Sequence, residues 1–225
     1  MSRPLVIGHR GSSLRHAENT IAAFSGALAE GADGVELDVR RAADDALAVH
    51  HDEALPDGRE IAVLGRAELP AGVPELAAVL DACAGALVNI EIKSAGTPGE
   101  VRLADDVVAL VHERAGDDVL ISSFDPQVLD RVRELDPVVR RAFLSVSIAP
   151  ETLRARAAAG DVAVHPHERS VDAGLVETAH GLGLRVHAWT VNDPDRIRRL
   201  AGLGVDAVIT DDPTGALAAL GPRPG

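Results

Sequence analysis

The chain has 225 residues, 46% of them hydrophobic, with a formal net charge of −13 and a pI near 5.0. That length can bury one sizeable core, read as a single domain over residues 1–225, while the acidic excess repels nucleic acid and anionic membrane and excludes both as expected partners. One cysteine, Cys83, rules out an internal disulfide and suits a reducing compartment. No apolar run reaches the roughly 18 residues of a membrane span, so a cytoplasmic protein is expected.

Short β-branched runs alternate with Ala/Leu/Val-rich helical patterns. Leu5–His9 is a predicted strand, and Asn19–Glu30 a helix with Thr20 as N-cap and Gly31 as its stop. Gly34–Arg40 is the second strand, and Ala46–His51 an extra strand folding straight back along it. A short insertion follows at about 53–72, then helix Pro74–Cys83, strand Leu87–Ile92, helix Glu100–Ala115 and strand Val119–Phe124. Next come helix Pro126–Leu135 opened by Asp125, strand Val139–Ser145, helix Glu151–Ala159 and strand Val162–His165. Helix Val171–Leu182, strand Arg185–Thr190, helix Pro194–Leu203, strand Ala207–Thr210 and helix Pro213–Leu220 complete the pattern. Eight β-α units with one added strand predict an α/β fold, a (β/α)8 TIM barrel with an extra β-hairpin arm after strand 2. A doubly wound sheet is the alternative; it uses fewer units and a G-x-G-x-x-G turn, absent after the first strand.

A barrel carries its active site at the C-terminal strand ends. Here those ends read His9-Arg10-Gly11, Glu36-Leu37-Asp38, Glu91-Ile92-Lys93, Ser122-Ser123-Phe124, His165-Pro166-His167, Trp189-Thr190-Val191-Asn192 and Thr210-Asp211-Asp212. Glu36 and Asp38, two apart on a strand, share a face. Neighbouring buried carboxylates repel one another, and Glu91 on the next barrel strand offers a third. A divalent cation such as Mg²⁺ or Ca²⁺ would resolve the repulsion, and so would ion pairs with Arg10 or Arg40. The hairpin turn, taken as Ala42–Asp45, sets His51 roughly opposite Asp38. His9 and His51 suit acid/base chemistry near neutral pH. Arg10 and Lys93 add positive charge at the same rim, and Lys93 is the one lysine in a chain with 21 arginines. Metal, cations and two histidines together point to phosphodiester cleavage.

The ordered set H-R-G (His9–Gly11), E-N-T (Glu18–Thr20), E-L-D (Glu36–Asp38), V-x-H-D (Val49–Asp52) and E-I-K (Glu91–Lys93) resembles the glycerophosphodiester phosphodiesterase family. S-S-F at Ser122–Phe124, A-W-T-V-N at Ala188–Asn192 and D-A-V-I-T-D-D-P at Asp206–Pro213 agree, so the likeness runs from Val6 to Pro213. The resemblance implies hydrolysis of a small-molecule glycerophosphodiester to glycerol 3-phosphate and an alcohol, through a cyclic phosphate formed by the neighbouring glycerol hydroxyl. It implies His9 and His51 as the acid/base pair, Glu36, Asp38 and Glu91 as metal ligands, and Arg10 and Lys93 as phosphate holders. Trp189 would sit over the glycerol or the alcohol group; plain packing at the barrel top fits it equally. The family's L-x-R-T-T stretch after H-D is missing, and the short segment in its place has no aromatic residue. That open lid keeps lysophospholipid cleavage as an alternative substrate class, beside a non-catalytic phosphate-binding barrel. His50 is expected to face away from the site. Asp211 and Asp212 fit helix capping as well as ligand binding, and Glu18, His165 and His167 receive no firm role.

Overall fold

The computed structural model describes residues 3–94, 98–114 and 118–222. Eight parallel strands close into a barrel: β1 (Leu5–His9), β2 (Gly34–Arg41), β4 (Leu87–Ile92), β5 (Asp118–Ser123), β6 (Arg140–Ser145), β7 (Ala163–Pro166), β8 (Arg185–Ala188) and β9 (Ala207–Thr210). Each pairs in parallel with the next, and β1 pairs with both β2 and β9, which seals the ring and excludes the doubly wound sheet. The helices α1 (Ile21–Ala29), α2 (Leu76–Ala82), α3 (Pro98–Glu113), α4 (Pro126–Leu135), α5 (Pro150–Ala158), α6 (Ala173–Gly181), α7 (Pro194–Leu203) and α8 (Pro213–Leu220) separate them. The expected end of the third helix at Ala115 lies outside the described residues.

Local chemistry sets these boundaries. Asp125, Asp193 and Asp212 each stand before a proline and accept a backbone N–H from the first turn of α4, α7 and α8. The aspartate satisfies a free donor while the proline supplies a helical φ at a position needing no N–H. Thr20 and Asp172 cap α1 and α6 in the same way.

Alternation along the strands divides the core in two. Val35, Leu37, Val88, Ile90, Val164, Val186 and Val208 face outward and pack under the helices. Ile7, Leu87, Leu120, Ala142, Ala163, Ala207 and Ile209 face inward and pack together in the lumen. No helix among the described residues is long and apolar enough to cross a membrane.

The extra strand is β3 (Leu47–Val49), antiparallel to β2, with Val39 opposite Val49 and Arg41 opposite Leu47. It is shorter than the expected Ala46–His51, and its register differs by one residue. His50 stands opposite Asp38, its N–H donating to the Asp38 carbonyl at 3.0 Å. Asp45 adopts a left-handed φ of 67°, and Ala42 N–H bonds to the Ala46 carbonyl at 2.9 Å. The loop therefore has three residues, 43–45, instead of the four assumed. His51 lies past the end of the strand. The segment after it turns back through 3₁₀ turns at Ile61–Val63 and Arg66–Glu68, burying Leu55, Ile61, Leu64, Leu69 and Val73 against Ala42 and Ala48.

Candidate active site

Gly11 fixes the first loop. Its φ is +86°, and a Cβ there would lie 2.4 Å from the Ala23 carbonyl carbon, so only glycine fits. Arg10 before it is also left-handed, at φ 54°. That turn aims the Arg10 N–H at Glu36 Oε2, 3.0 Å away, and sets its Nε 3.2 Å from Asp38 Oδ2. Its far end meets both oxygens of Glu18, at 2.9 and 3.0 Å. Asn19, with φ 57°, donates its amide to Asp38 Oδ2 at 2.8 Å and accepts the Asp38 N–H at 3.3 Å. The E-N-T run thus serves Arg10, Asp38 and the α1 cap in turn.

Three carboxylates converge at the mouth. Glu36, Asp38 and Glu91 are buried, at 4%, 1% and 6% exposure, with one oxygen of each within 4.8 Å of the others. Strand register places His9 beside Glu36 and Asp38 beside Glu91. Lys93 Nζ bridges Asp38 Oδ1 at 2.9 Å and Glu91 Oε1 at 2.7 Å. Burial works against charge throughout, and neighbours decide the outcome. Asp38 is pulled below the usual carboxylate range by Lys93 and Arg10 despite its burial. Glu36, buried beside Asp38 with only His9 and the Arg10 N–H to offset this, is pushed up to about 8. Glu91 is raised by burial and by Asp38, against the pull of Lys93. Two cations thus face three carboxylates. The all-oxygen donor set fits a hard divalent cation.

His9 Nδ1 lies 2.7 Å from Asp211 Oδ1. Asp211 also receives the Ser13 hydroxyl at 2.9 Å and the Asn192 amide at 2.6 Å. Burial depresses the His9 pKa, but Asp211 and Glu36 outweigh it and raise the value. His51 Nδ1 pairs with Asp52 Oδ1 at 2.7 Å, and Arg40 holds its carbonyl at 2.8 Å. Burial and the Lys93 charge lower its pKa. A carboxylate can only accept, so each Nδ1 carries the proton and each Nε2 stays available.

Trp189 Nε1 donates to the His165 carbonyl at 2.7 Å. Its ring meets Phe124 and His167 edge to face, with centroids 5.5 and 5.2 Å away. His165 points into the lumen, fully buried. His50 bonds its own loop through the Asp52 carbonyl at 2.9 Å. Asp212 is the α8 cap, whereas Asp211 holds His9. That separation was missed in the sequence, although Ala207, Ile209 and Asp211 alternate onto one face and parity places Asp211 inward. Asn19 and Asn192 were missed too, and no spacing signal marks a loop amide.

A family model for the glycerophosphoryl diester phosphodiesterase family matches residues 9–214. The chain is 32% identical to a glycerophosphodiester phosphodiesterase of Caldanaerobacter subterraneus, over 94% of this chain and 95% of that one. Among solved structures, an Oleispira antarctica phosphodiesterase in complex with the product sn-glycerol-3-phosphate superimposes with a TM-score of 0.86 at 26% identity, covering 96% of each chain. A glycerophosphodiester phosphodiesterase from Parabacteroides distasonis gives 0.85 at 25% identity, covering 97% of each.

Proposed function

This chain belongs to the glycerophosphoryl diester phosphodiesterase family and is a phosphodiester hydrolase; from that premise we propose that it cleaves small-molecule glycerophosphodiesters to glycerol 3-phosphate and an alcohol. The observation that carries this reading is the buried Glu36–Asp38–Glu91 cluster, rimmed by Arg10, Lys93 and a His9 anchored on Asp211.

Glu36, Asp38 and Glu91 would hold Mg²⁺ or Ca²⁺. A bound divalent cation offsets phosphoryl charge and polarises the P–O bonds. Arg10 and Lys93 would bind the phosphate oxygens, exchanging part of their contact with the carboxylates for it. One histidine Nε2 takes the proton of the glycerol 2-hydroxyl as that oxygen bonds to phosphorus. The bond to the alcohol breaks, and the departing oxygen takes a proton from the other histidine. Water then opens the cyclic phosphate with the two roles reversed. Asp211 and Asp52 keep both rings in the tautomer this needs. Trp189, with Phe124 at its edge, would cover the organic part of the substrate. Cys83 is the one cysteine and is buried, which suits a reducing, cytoplasmic setting.

The test is release of glycerol 3-phosphate from glycerophosphocholine and glycerophosphoethanolamine with Mg²⁺, Ca²⁺ or EDTA. Cation-dependent release supports the reading; no release under any condition removes it. A second substrate class has one observation in its favour. Leu14, Phe124 and Val146, on the loops after β1, β5 and β6, are 65%, 43% and 63% exposed at the mouth and would suit an acyl chain. Turnover of glycerophosphocholine with lysophosphatidylcholine untouched would eliminate it.

A further inference from the structure

One set of lumen side chains has no part in the chemistry above. Asn89 on β4, Ser122 on β5, His165 on β7 and His187 on β8 sit at inward positions of their strands. All four are at most 3% exposed. The two imidazoles stack, with centroids 4.7 Å apart and planes 31° from parallel, so neither bonds the other. Among the described residues, both amide atoms of Asn89, the Ser122 hydroxyl and all four ring nitrogens have no hydrogen-bond partner in the protein. A buried donor or acceptor left without a partner loses its hydration with nothing in return, and native interiors keep few of them.

Their neighbours are mixed: Leu120 beside Asn89 and Leu144 beside His165 are large, while alanines stand beside the other two. Ser122 pairs in register with Ala142, Ala142 with Ala163, and His187 with Ala207. Barrel lumens are usually packed with Val, Ile and Leu at such positions, and alanines beside Ser122 and His187 take up less of the lumen than those residues would. Burial keeps both rings neutral, lowering His187 to about 4 and His165 well below the ordinary histidine value. A neutral imidazole, an amide and a hydroxyl each offer both a donor and an acceptor. That set matches water better than an ion of either sign.

We propose that the lumen beneath the carboxylates is a hydrated chamber, with ordered water held by Asn89, Ser122, His165 and His187. Leu5, Leu87 and Val162 close its side toward the N-terminal strand ends. Toward the mouth it adjoins the carboxylates, because Asn89 is the register partner of Glu36 and Ser122 that of Glu91. The water solvates the inner side of the cluster, which apolar packing would leave dry.

A crystal structure of the intact protein at atomic resolution tests this directly, together with deuterium relaxation dispersion of water in its solution. The expected result is density for water within hydrogen-bond distance of at least two of the four side chains, and a long-lived water signal. A water-free lumen, or rings rotated onto protein acceptors, would overturn it. His187→Leu separates the two cases again. At pH 7.5, where the ring is neutral folded or unfolded, a hydrated chamber loses a water site and Tm falls by roughly 2–4 °C. In a dry lumen the substitution removes an orphaned imidazole, and Tm stays level or rises. Should that variant fail to fold, the relaxation measurement on the unaltered chain decides.

Discussion

The two halves of the barrel bury ionisable groups to opposite ends. On β1, β2 and β4, Glu36, Asp38 and Glu91 meet Arg10, Lys93 and His9; Asp38, touched by two cations, is held below the usual carboxylate range, while Glu91, touched by Lys93 alone, is still raised. On β7 and β8, His165 and His187 are as deeply buried but have no ion-pair partner, and burial makes them neutral. Glu36 shows the same rule inside the charged half. Two residues from Asp38 and as buried, it lacks the side-chain cations that Asp38 has, and it is pushed up to about 8. How many opposite charges touch a group separates these carboxylates, which are all similarly deep. Substitutions in the charged half should therefore abolish turnover, while those in the neutral half should move stability.

His9→Ala should give the largest effect, a loss of about 10²–10⁴ in kcat with the unfolding midpoint little changed, read by product release and thermal melts. Unchanged turnover would remove His9 from the chemistry. The neutral half is probed by acid. Unfolded His187 takes a proton below 6.5, whereas the folded ring holds none until about 4. Its contribution to stability is thus full above pH 6.5 and is lost as pH falls toward 4. His187→Leu should accordingly gain on the unaltered protein by about 3 kcal/mol across that window, in urea titrations at each pH. A pH-independent difference would mean the folded ring takes up its proton as readily as the unfolded one.

Asp211→Asn keeps the size of the His9 partner but removes its charge and allows the wrong tautomer. It should cost on the order of 10² in kcat and lower the pKa seen in the pH–rate profile, since Asp211 raises His9. Asp52→Asn should cost less, about tenfold or below. Asp52 is 74% exposed at the side chain, where water screens the pair and partly replaces it. Equal losses in the two variants would erase the distinction between the anchored and the exposed histidine.

Much of this was legible in the sequence because it rests on period and punctuation. The β-α alternation, the three Asp-Pro starts and the paired parity of Glu36 and Asp38 are local signals, and local signals read true. The hairpin register was not legible. It turns on the left-handed Asp45, which closes a three-residue loop where four residues also look plausible. Asp211 was obscured by Asp212, since two adjacent acids before a proline both read as caps. Only the closed ring, with β9 beside β1, brings residue 211 to residue 9. Ser122 and His165 read only as polar strand ends, and nothing in the sequence marks Asn89 or His187, because each member sits alone on its own strand.

The seam where β1 meets β9 has a consequence for how the protein is made. His9 leans on Asp211, Arg15 on Asp212 and Glu30 on Thr214. A growing chain on the ribosome thus holds His9, His51, all three carboxylates and Lys93 long before the last strand emerges. Through that interval the His9 imidazole lacks its anchor and the ring of strands is open. The His9 anchor is complete only once β9 has been made and docks beside β1, so that a histidine at the start of the barrel waits for the aspartate that follows its closing strand.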